Sequence, residues 1–424
     1  MSDSNSQTGT PKQAVLVWVL ATLFYLYENL LQVSQGVIVP ELMREFHLSA
    51  QQLSTQLGST FLFAYSAAQF PIGILLDRYS TRLLLTLASG LCALSCYTYA
   101  NAHMISIAIL SRFCMGIGAA FAALSCLKLA SGWFQHKQFA LLTGLMLSIG
   151  LTGSILGEGP LLHLVNSHGW RAALIMVAQL GMIITLLIAL IVRDNPKKPK
   201  TRPDRQALLS ALKTLLQKKQ VWAIALYGML MFTPFLIFSN LWGPIFIEKT
   251  YHLSRETATA AFEMIFVGFI IGAPFFGWYS DYIQQRKRPL YIGSIGALII
   301  MTSILHAVVP HPLYISGLML LLGFFTSAFL PAFSIMKEMN PTEMTASALG
   351  FMNTLNSLGG PILIAITGLL LDRLWDGAMI DSIRVYSSEH FVTAFSLLPL
   401  LYLLAALLLS TIQETYCTQQ QTSE

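Results

Sequence analysis

Twelve apolar runs, each about the length needed to cross a bilayer, dominate this chain and leave few folds open to it. They fall near residues 14–38, 50–76, 83–100, 103–133, 138–165 and 170–192, and resume near 220–247, 256–280, 289–309, 312–336, 343–371 and 390–412. About 20 apolar residues of helix span the hydrocarbon core, where each backbone N–H and C=O must be paired within its own segment. The expected fold is an all-α membrane protein with twelve transmembrane helices. Composition agrees: 11% of residues are charged and the mean hydropathy is +0.63, whereas soluble domains carry about 25% charged residues.

The runs divide as six and six. A polar tail (1–13) precedes a first six-helix bundle (14–192), a basic linker (193–219) leads to a second bundle (220–412), and a short tail (413–424) follows. The first apolar run is too long and too polar-faced for a cleaved signal, so it is expected to remain as a helix. The linker begins Arg193-Asp-Asn-Pro-Lys-Lys-Pro-Lys-Thr-Arg-Pro, and its prolines prevent a continuous helix. Ala207-Leu-Leu-Ser-Ala-Leu-Lys-Thr-Leu-Leu then reads as an amphipathic segment lying on the membrane face. Lysine and arginine gather in alternate loops, at Arg78, Arg82, Lys137, the linker, Arg286, Lys287, Arg288 and Lys337. Those loops and both termini are therefore expected on the cytoplasmic side of the membrane. The net charge of +5 follows this topology and is no nucleic-acid footprint. Nothing in the sequence calls for an oligomer, and a monomer is expected. Cys92 and Cys96, inside an apolar run with no His or carboxylate cluster nearby, read as small buried side chains.

Two internal echoes support a duplicated architecture. Gly73-Ile-Leu-Leu-Asp77-Arg78-Tyr-Ser-Thr-Arg82 joins the second and third runs, and Gly277-Trp-Tyr-Ser-Asp281 followed by Arg286-Lys287-Arg288 returns 204 residues later. Gly144, Met146, Ser148 and Gly153 also align with Gly350, Met352, Thr354 and Gly359 at an offset of 206. Parallel six-helix repeats around a central cavity are the arrangement such spacing implies. The glycine-rich faces of the fifth and eleventh helices suit close helix contacts.

Ionisable residues deep in the apolar runs are costly and usually functional, at about 2.5–3.5 kcal/mol each if unpaired. Glu28 sits in the first run on a polar stripe with Tyr25, Gln32 and Gln35, and Arg112 lies at similar depth in the fourth. The two are expected to pair. In the functional reading Arg112 holds a substrate carboxylate or phosphate while Glu28 carries a coupling proton; in the structural reading they form a salt bridge. Glu158, in Gly157-Glu158-Gly159-Pro160, and Glu263 occupy the outer thirds of the fifth and eighth helices. Gln52, Gln56, Ser59 and Ser66 share one face of the second helix, while Asn353 and Asn356 lie three apart on the eleventh. Asn240, beside Trp242 and Gly243-Pro244, is placed to line an outer gate. Together these suit a small hydrophilic ligand, though each alone also serves as interhelical glue.

The Gly-x-x-x-Asp-Arg-x-Ser-x-Arg loop, the Arg112-x-x-x-Gly116-x-Gly118 element and Gly169-Trp170-Arg171 resemble signatures of the major facilitator superfamily, over residues 12–413. That resemblance implies a secondary transporter working by alternating access. Gly73, Asp77, Arg78 and Arg82, with Asp281 in the second copy, would then latch the cytoplasmic side, and Arg112 would serve the ligand or the proton. Gly159-Pro160 is followed by Leu-Leu-His, unlike the antiporter signature of drug exporters, which favours uptake. Tyr25-Leu-Tyr-Glu-Asn and Val39-Pro-Glu-Leu-Met-Arg-Glu-Phe look like proteobacterial nutrient carriers, including phagosomal amino-acid and nucleoside transporters.

The leading expectation is a proton-coupled importer of a small polar metabolite with an anionic group, an amino acid being the first choice; sodium in place of the proton stays open. The alternative is a proton-exchange exporter of a siderophore or drug. A receptor on a transporter fold would need an output domain, and the longest loop is only 193–219. No cofactor is expected, nor an enzyme, since no metal cluster, nucleotide loop or nucleophile elbow stands out.

Overall fold

The computed structural model describes residues 11–134, 136–194, 215–306, 311–340, 345–380 and 383–418. Its crossing helices are α1 (Pro11–Val37), α2 (Ala50–Gln52, a π-helical turn at Leu53–Gly58, then Ser59–Arg78), α3 (Thr81–Ala100) and α4 (Ile105–Ala119 with Phe121–Trp133). They continue as α5 (His136–Leu156 and Gly159–His168), α6 (Trp170–Ile191), α7 (Lys219–Ile237, a π-helical turn at Phe238–Trp242, then Gly243–Tyr251) and α8 (Arg255–Ile283). The last four are α9 (Lys287–Leu305), α10 (Pro312–Ser327 and Pro331–Glu338), α11 (Thr345–Leu374) and α12 (Ser388–Phe395 with Leu397–Leu408). Among the described residues, eleven helices are long and apolar enough to cross a membrane, and α2 makes the twelfth of the bundle.

One small departure from an all-helical chain lies between α11 and α12, where β1 (Met379–Ile380) pairs antiparallel with β2 (Ile383–Arg384). Most of the expected amphipathic stretch, 207–216, lies outside the described residues. Leu87, Leu110 and Leu407 expose about three-fifths of their surface, as side chains facing lipid do. Cys92 and Cys96 are buried and free, their thiols donating to the carbonyls of Met115 and Leu174.

Local sequence explains where helices break. Pro160 lacks an N–H, and its ring clashes with the carbonyl four residues earlier, so the first segment of α5 stops at Leu156. Pro244 acts likewise in α7, where the helix loosens into the π-helical turn before it. Small residues set the packing. A Cβ on Gly153 would overlap Leu26 O of α1, and one on its repeat partner Gly359 would overlap Thr233 of α7. Gly144 and Gly350, the other matched pair, face open space. Thus α5 on α1 and α11 on α7 are equivalent contacts, as the 206-residue offset requires. In the second half, Gly268 of α8 and Gly323 of α10 sit against each other's backbones.

Every hydrogen bond described between the two halves lies at one end, away from the N-terminal end of α1. There Arg255 pairs with Glu41 at 2.7 and 3.0 Å, and Asn166 donates to Glu256 at 2.9 Å. Trp242 Nε1 donates to Ser54 Oγ at 3.2 Å, and Ser59 donates to Pro361 O at 2.7 Å. Asp372 of α11 accepts from the N–H groups of Ala50 and Gln51 at 3.2 Å each, which caps α2 from the opposite half. Toward the other end, added Cβ atoms on Gly73, Gly132, Gly144, Gly277 and Gly350 would meet nothing within 4 Å. Among the described residues, the hydrogen bonds between the halves close one end of the molecule and none lies at the end that carries the N-terminus, which is the open end in this sense.

Candidate substrate and coupling site

Arg112 is buried because of the glycines that follow it. A Cβ on Gly116 would overlap Phe61 O of α2, and one on Gly118 would sit 2.6 Å from Cys92 Sγ of α3. With no side chains there, α4 closes against both neighbours and seats the guanidinium 4.6 Å from the centre of the Phe61 ring. Arg112 is 2% exposed, its Nη1 donates to Leu31 O at 3.1 Å, and its Nε has no acceptor among the described residues.

Glu28 does not pair with it. The Glu28 carboxylate is 1% exposed and accepts from Asn29 Nδ2 at 2.9 Å, while its other oxygen has no partner among the described residues. Arg112 instead spends its hydrogen bond on a backbone carbonyl of the same helix that carries Glu28. The expected salt bridge is therefore corrected. Matched depth along two helices does not fix azimuth: Arg112 turns to Leu31 O and the Phe61 ring, and Glu28 to Asn29. Gln32 is partly buried on the same helix.

The expected polar face of α2 is also broken. The π-helical turn inserts an extra residue per turn, which rotates the positions on either side relative to one another. Gln52 closes a capping box with Ser49, Gln56 is partly exposed, Ser59 bonds across to α11 and Ser66 turns back to Leu62 O. On α11, Asn353 is partly exposed, while Asn356 is buried with neither amide atom bonded among the described residues. Asn240 donates to Leu236 O of its own helix at 2.7 Å, in the part of α7 that lies at the closed end.

The structure brings Glu158 and Glu263 together. Pro160 frees the backbone around Gly159, and Glu263 of α8 accepts the Gly159 N–H at 2.5 Å. Glu158, one residue earlier, is 0% exposed and neither carboxylate oxygen has a partner among the described residues.

In both copies of the loop, an acid just past the last helix of the half caps the helix that follows the loop. The side chains of Asp77 and Arg78 lie outside the described residues. Arg82 donates to Ala189 O, and Asp194, just past α6, caps α3 through Thr81 N at 2.8 Å and Arg82 N at 3.3 Å. In the second copy Arg286 pairs with Asp281 at 2.6 Å and Glu338 at 2.7 Å, and Glu414, just past α12, caps α9 through the N–H groups of Arg286 and Lys287 at 2.8 Å each. Asp281 therefore engages its own half in this state. Sequence reading missed Asp194, Glu414 and Asp372, because an acid after an apolar run looks like any loop acid until its distant helix N-terminus is known.

Two six-helix halves, bonded to each other at one end around a buried arginine, define a twelve-helix membrane protein of two-bundle architecture. A sequence model of the Major Facilitator Superfamily matches residues 17–364, and the chain belongs to that family. It is similar to a hexuronate transporter of Bacillus subtilis, 22% identical over 360 residues, covering 80% of this chain and 83% of the relative. A membrane sensor protein, UhpC of Escherichia coli, is 23% identical over 422 residues, covering 91% and 90%. Among solved structures, an inward-facing bacterial homologue of the human lysosomal transporter Spinster superposes with a TM-score of 0.79 at 16% identity, covering 95% of this chain and 97% of that one. That likeness concerns the fold.

Proposed function

We propose that this protein imports a small organic anion by proton-coupled alternating access, with Arg112 as the anion anchor. The observation that carries this is the Arg112 guanidinium: 2% exposed, with no acid partner among the described residues and an Nε without an acceptor. A buried cation in a membrane bundle is costly unless an anion meets it. A guanidinium also recognises carboxylate by a two-pronged hydrogen bond that a point charge cannot match. The relative named for hexuronate handling supports a sugar acid as a candidate beside the amino acids that the sequence suggested. Asn353, Asn356, Gln32 and Gln56 would contribute uncharged hydrogen bonds. With the lysine and arginine bias placing the termini in the cytoplasm, the closed end faces outward and the open end faces the cell interior of a bacterial inner membrane; one copy of the chain suffices for this cycle.

The test uses proteoliposomes with a trapped pH-sensitive dye, challenged with pools of sugar acids, amino acids and nucleosides. Uptake of one anionic pool with lumenal acidification is expected, lost at least tenfold in Arg112→Gln and in Arg112→Lys. No uptake of any pool, or uptake unchanged in Arg112→Gln, would sink the reading. Lumenal alkalinisation would mean exchange, the export alternative. If the sensor-like relative is the better guide, ligand binds without net uptake.

A further inference from the structure

We propose that Glu158 and Glu263 form a proton site across the bundle interface, whose occupancy decides whether the closed end stays shut. This rests on the alternating-access reading above and assigns its coupling ion to particular side chains. Glu158 sits at the proline-made break in α5, fully buried, with both oxygens unpartnered among the described residues. Glu263 reaches it from the other half, held by the Gly159 N–H at 2.5 Å. A Cβ on Gly159 would lie 2.5 Å from Glu263 Oε1, so glycine is what admits the second carboxylate.

Among the described residues no cation bonds to this pair. On α1 the atoms facing Gly157 belong to Leu30 and Val33, and Glu28 turns to Asn29. Two turns along α8, Glu256 bonds Asn166, and Arg255 is taken by Glu41. On α6, Arg171 is taken by Glu45 and the carbonyls of Ala100 and Ala102. His163 and His168 of α5 are exposed. With the Glu263 carboxylate on the Gly159 N–H and Glu158 buried on the preceding residue, ionising both would put two like charges at one interface, so the closed end is stabilised by at least one proton on the pair.

The geometry links that proton to motion. Opening the closed end parts α5 from α8, hydrates both carboxylates and lets them ionise. Closing it buries them again only after a proton has been taken up from the outer side. Glu263 is partly exposed where Glu158 is not, so a proton reaches or leaves the pair through Glu263. Glu28 lies within one half, so rocking changes its surroundings less. A coupling group must differ in affinity between the two states, and a residue pair split between the halves meets that condition.

The test is a distance measurement on the full chain in lipid without substrate. Cys114 and Cys417, the partly exposed free cysteines, are first replaced by serine. Spin labels are then placed through His168→Cys and Glu389→Cys, on exposed positions of opposite halves. Expected at pH 5 is a single short distance, with a longer population growing toward pH 8. Glu158→Gln with Glu263→Gln mimics the protonated pair and should hold the short distance at both values. Glu263→Gln alone supplies the one neutral side chain the closed end needs, removes like-charge repulsion and should keep the short distance dominant to higher pH than in the parent chain. A pH-independent distance in the parent chain overturns the proposal, as does a parent-like response in either glutamine variant. Loss of the response in Glu28→Gln alone would place the proton there instead. Because no substrate is added, failure of the Arg112 uptake test leaves this outcome independent.

Discussion

Replacing Asp372 by alanine should tip the protein toward opening of its closed end. Asp372 reaches from α11 to accept the N–H groups of Ala50 and Gln51 at 3.2 Å each, and its side chain is 10% exposed. These bonds join the two halves, so they exist only while that end is shut. Loss of a capping side chain costs about 1 kcal/mol, and an acid at a helix N-terminus adds about 0.3–1 kcal/mol through the helix dipole. Tyr386 shares the load: its hydroxyl accepts from Ala50 N at 2.9 Å and donates to Asp372. Burial, with Asp372 beside it, raises the pKa of that hydroxyl, so it stays protonated and partly replaces the lost acceptor. The net shift is then about 1–2 kcal/mol, or roughly 5–30-fold in the closed-to-open ratio. The labels on positions 168 and 389, read at constant pH, should show the longer distance gaining by that factor. Arg384, 3.4 Å from Asp372 and 37% exposed, should matter much less as Arg384→Ala. An unchanged distribution in Asp372→Ala, or a gain in the short distance, would refute the idea that this cap holds the halves together.

Two further outcomes follow from packing and capping. Gly323→Ala drives a Cβ into Ile265 O of α8, whereas Gly317→Ala on the same helix meets nothing within 4 Å; thermal unfolding in detergent should fall for the first, by about 1–3 kcal/mol of overpacking, and stay level for the second. Asp194→Ala and Glu414→Ala remove equivalent caps from α3 and α9; each should cost about 1 kcal/mol, and equal drops in melting temperature are expected if the two halves are equivalent at this point.

Much of the architecture was legible in the sequence because the bilayer enforces it. Apolar length fixes the spans, and the 206-residue echo between Gly153 and Gly359 has its counterpart in two matching helix contacts. Pro160 and Pro244 stand at helix breaks, whereas Pro71, Pro234, Pro274 and Pro361 sit inside continuous helices, so proline alone does not locate a break. Arg112 stood out because charge in an apolar run is rare, and its two following glycines carry the reason it can be buried.

What the chain order could not supply was azimuth and partnership. Glu28 and Arg112 share a depth yet face different neighbours, because a helix offers a full circle of directions and only packing selects one. The π-helical turn in α2 rotated a polar face that helical periodicity had aligned. Glu158 met Glu263, and Asp372 met the start of α2, only because two halves of the chain close on each other at one end. The sequence by itself determined which segments cross the membrane and which charges are too costly to be idle. The tertiary structure decided which of those charges meet, since such meetings depend on contacts hundreds of residues apart that exist in one conformational state.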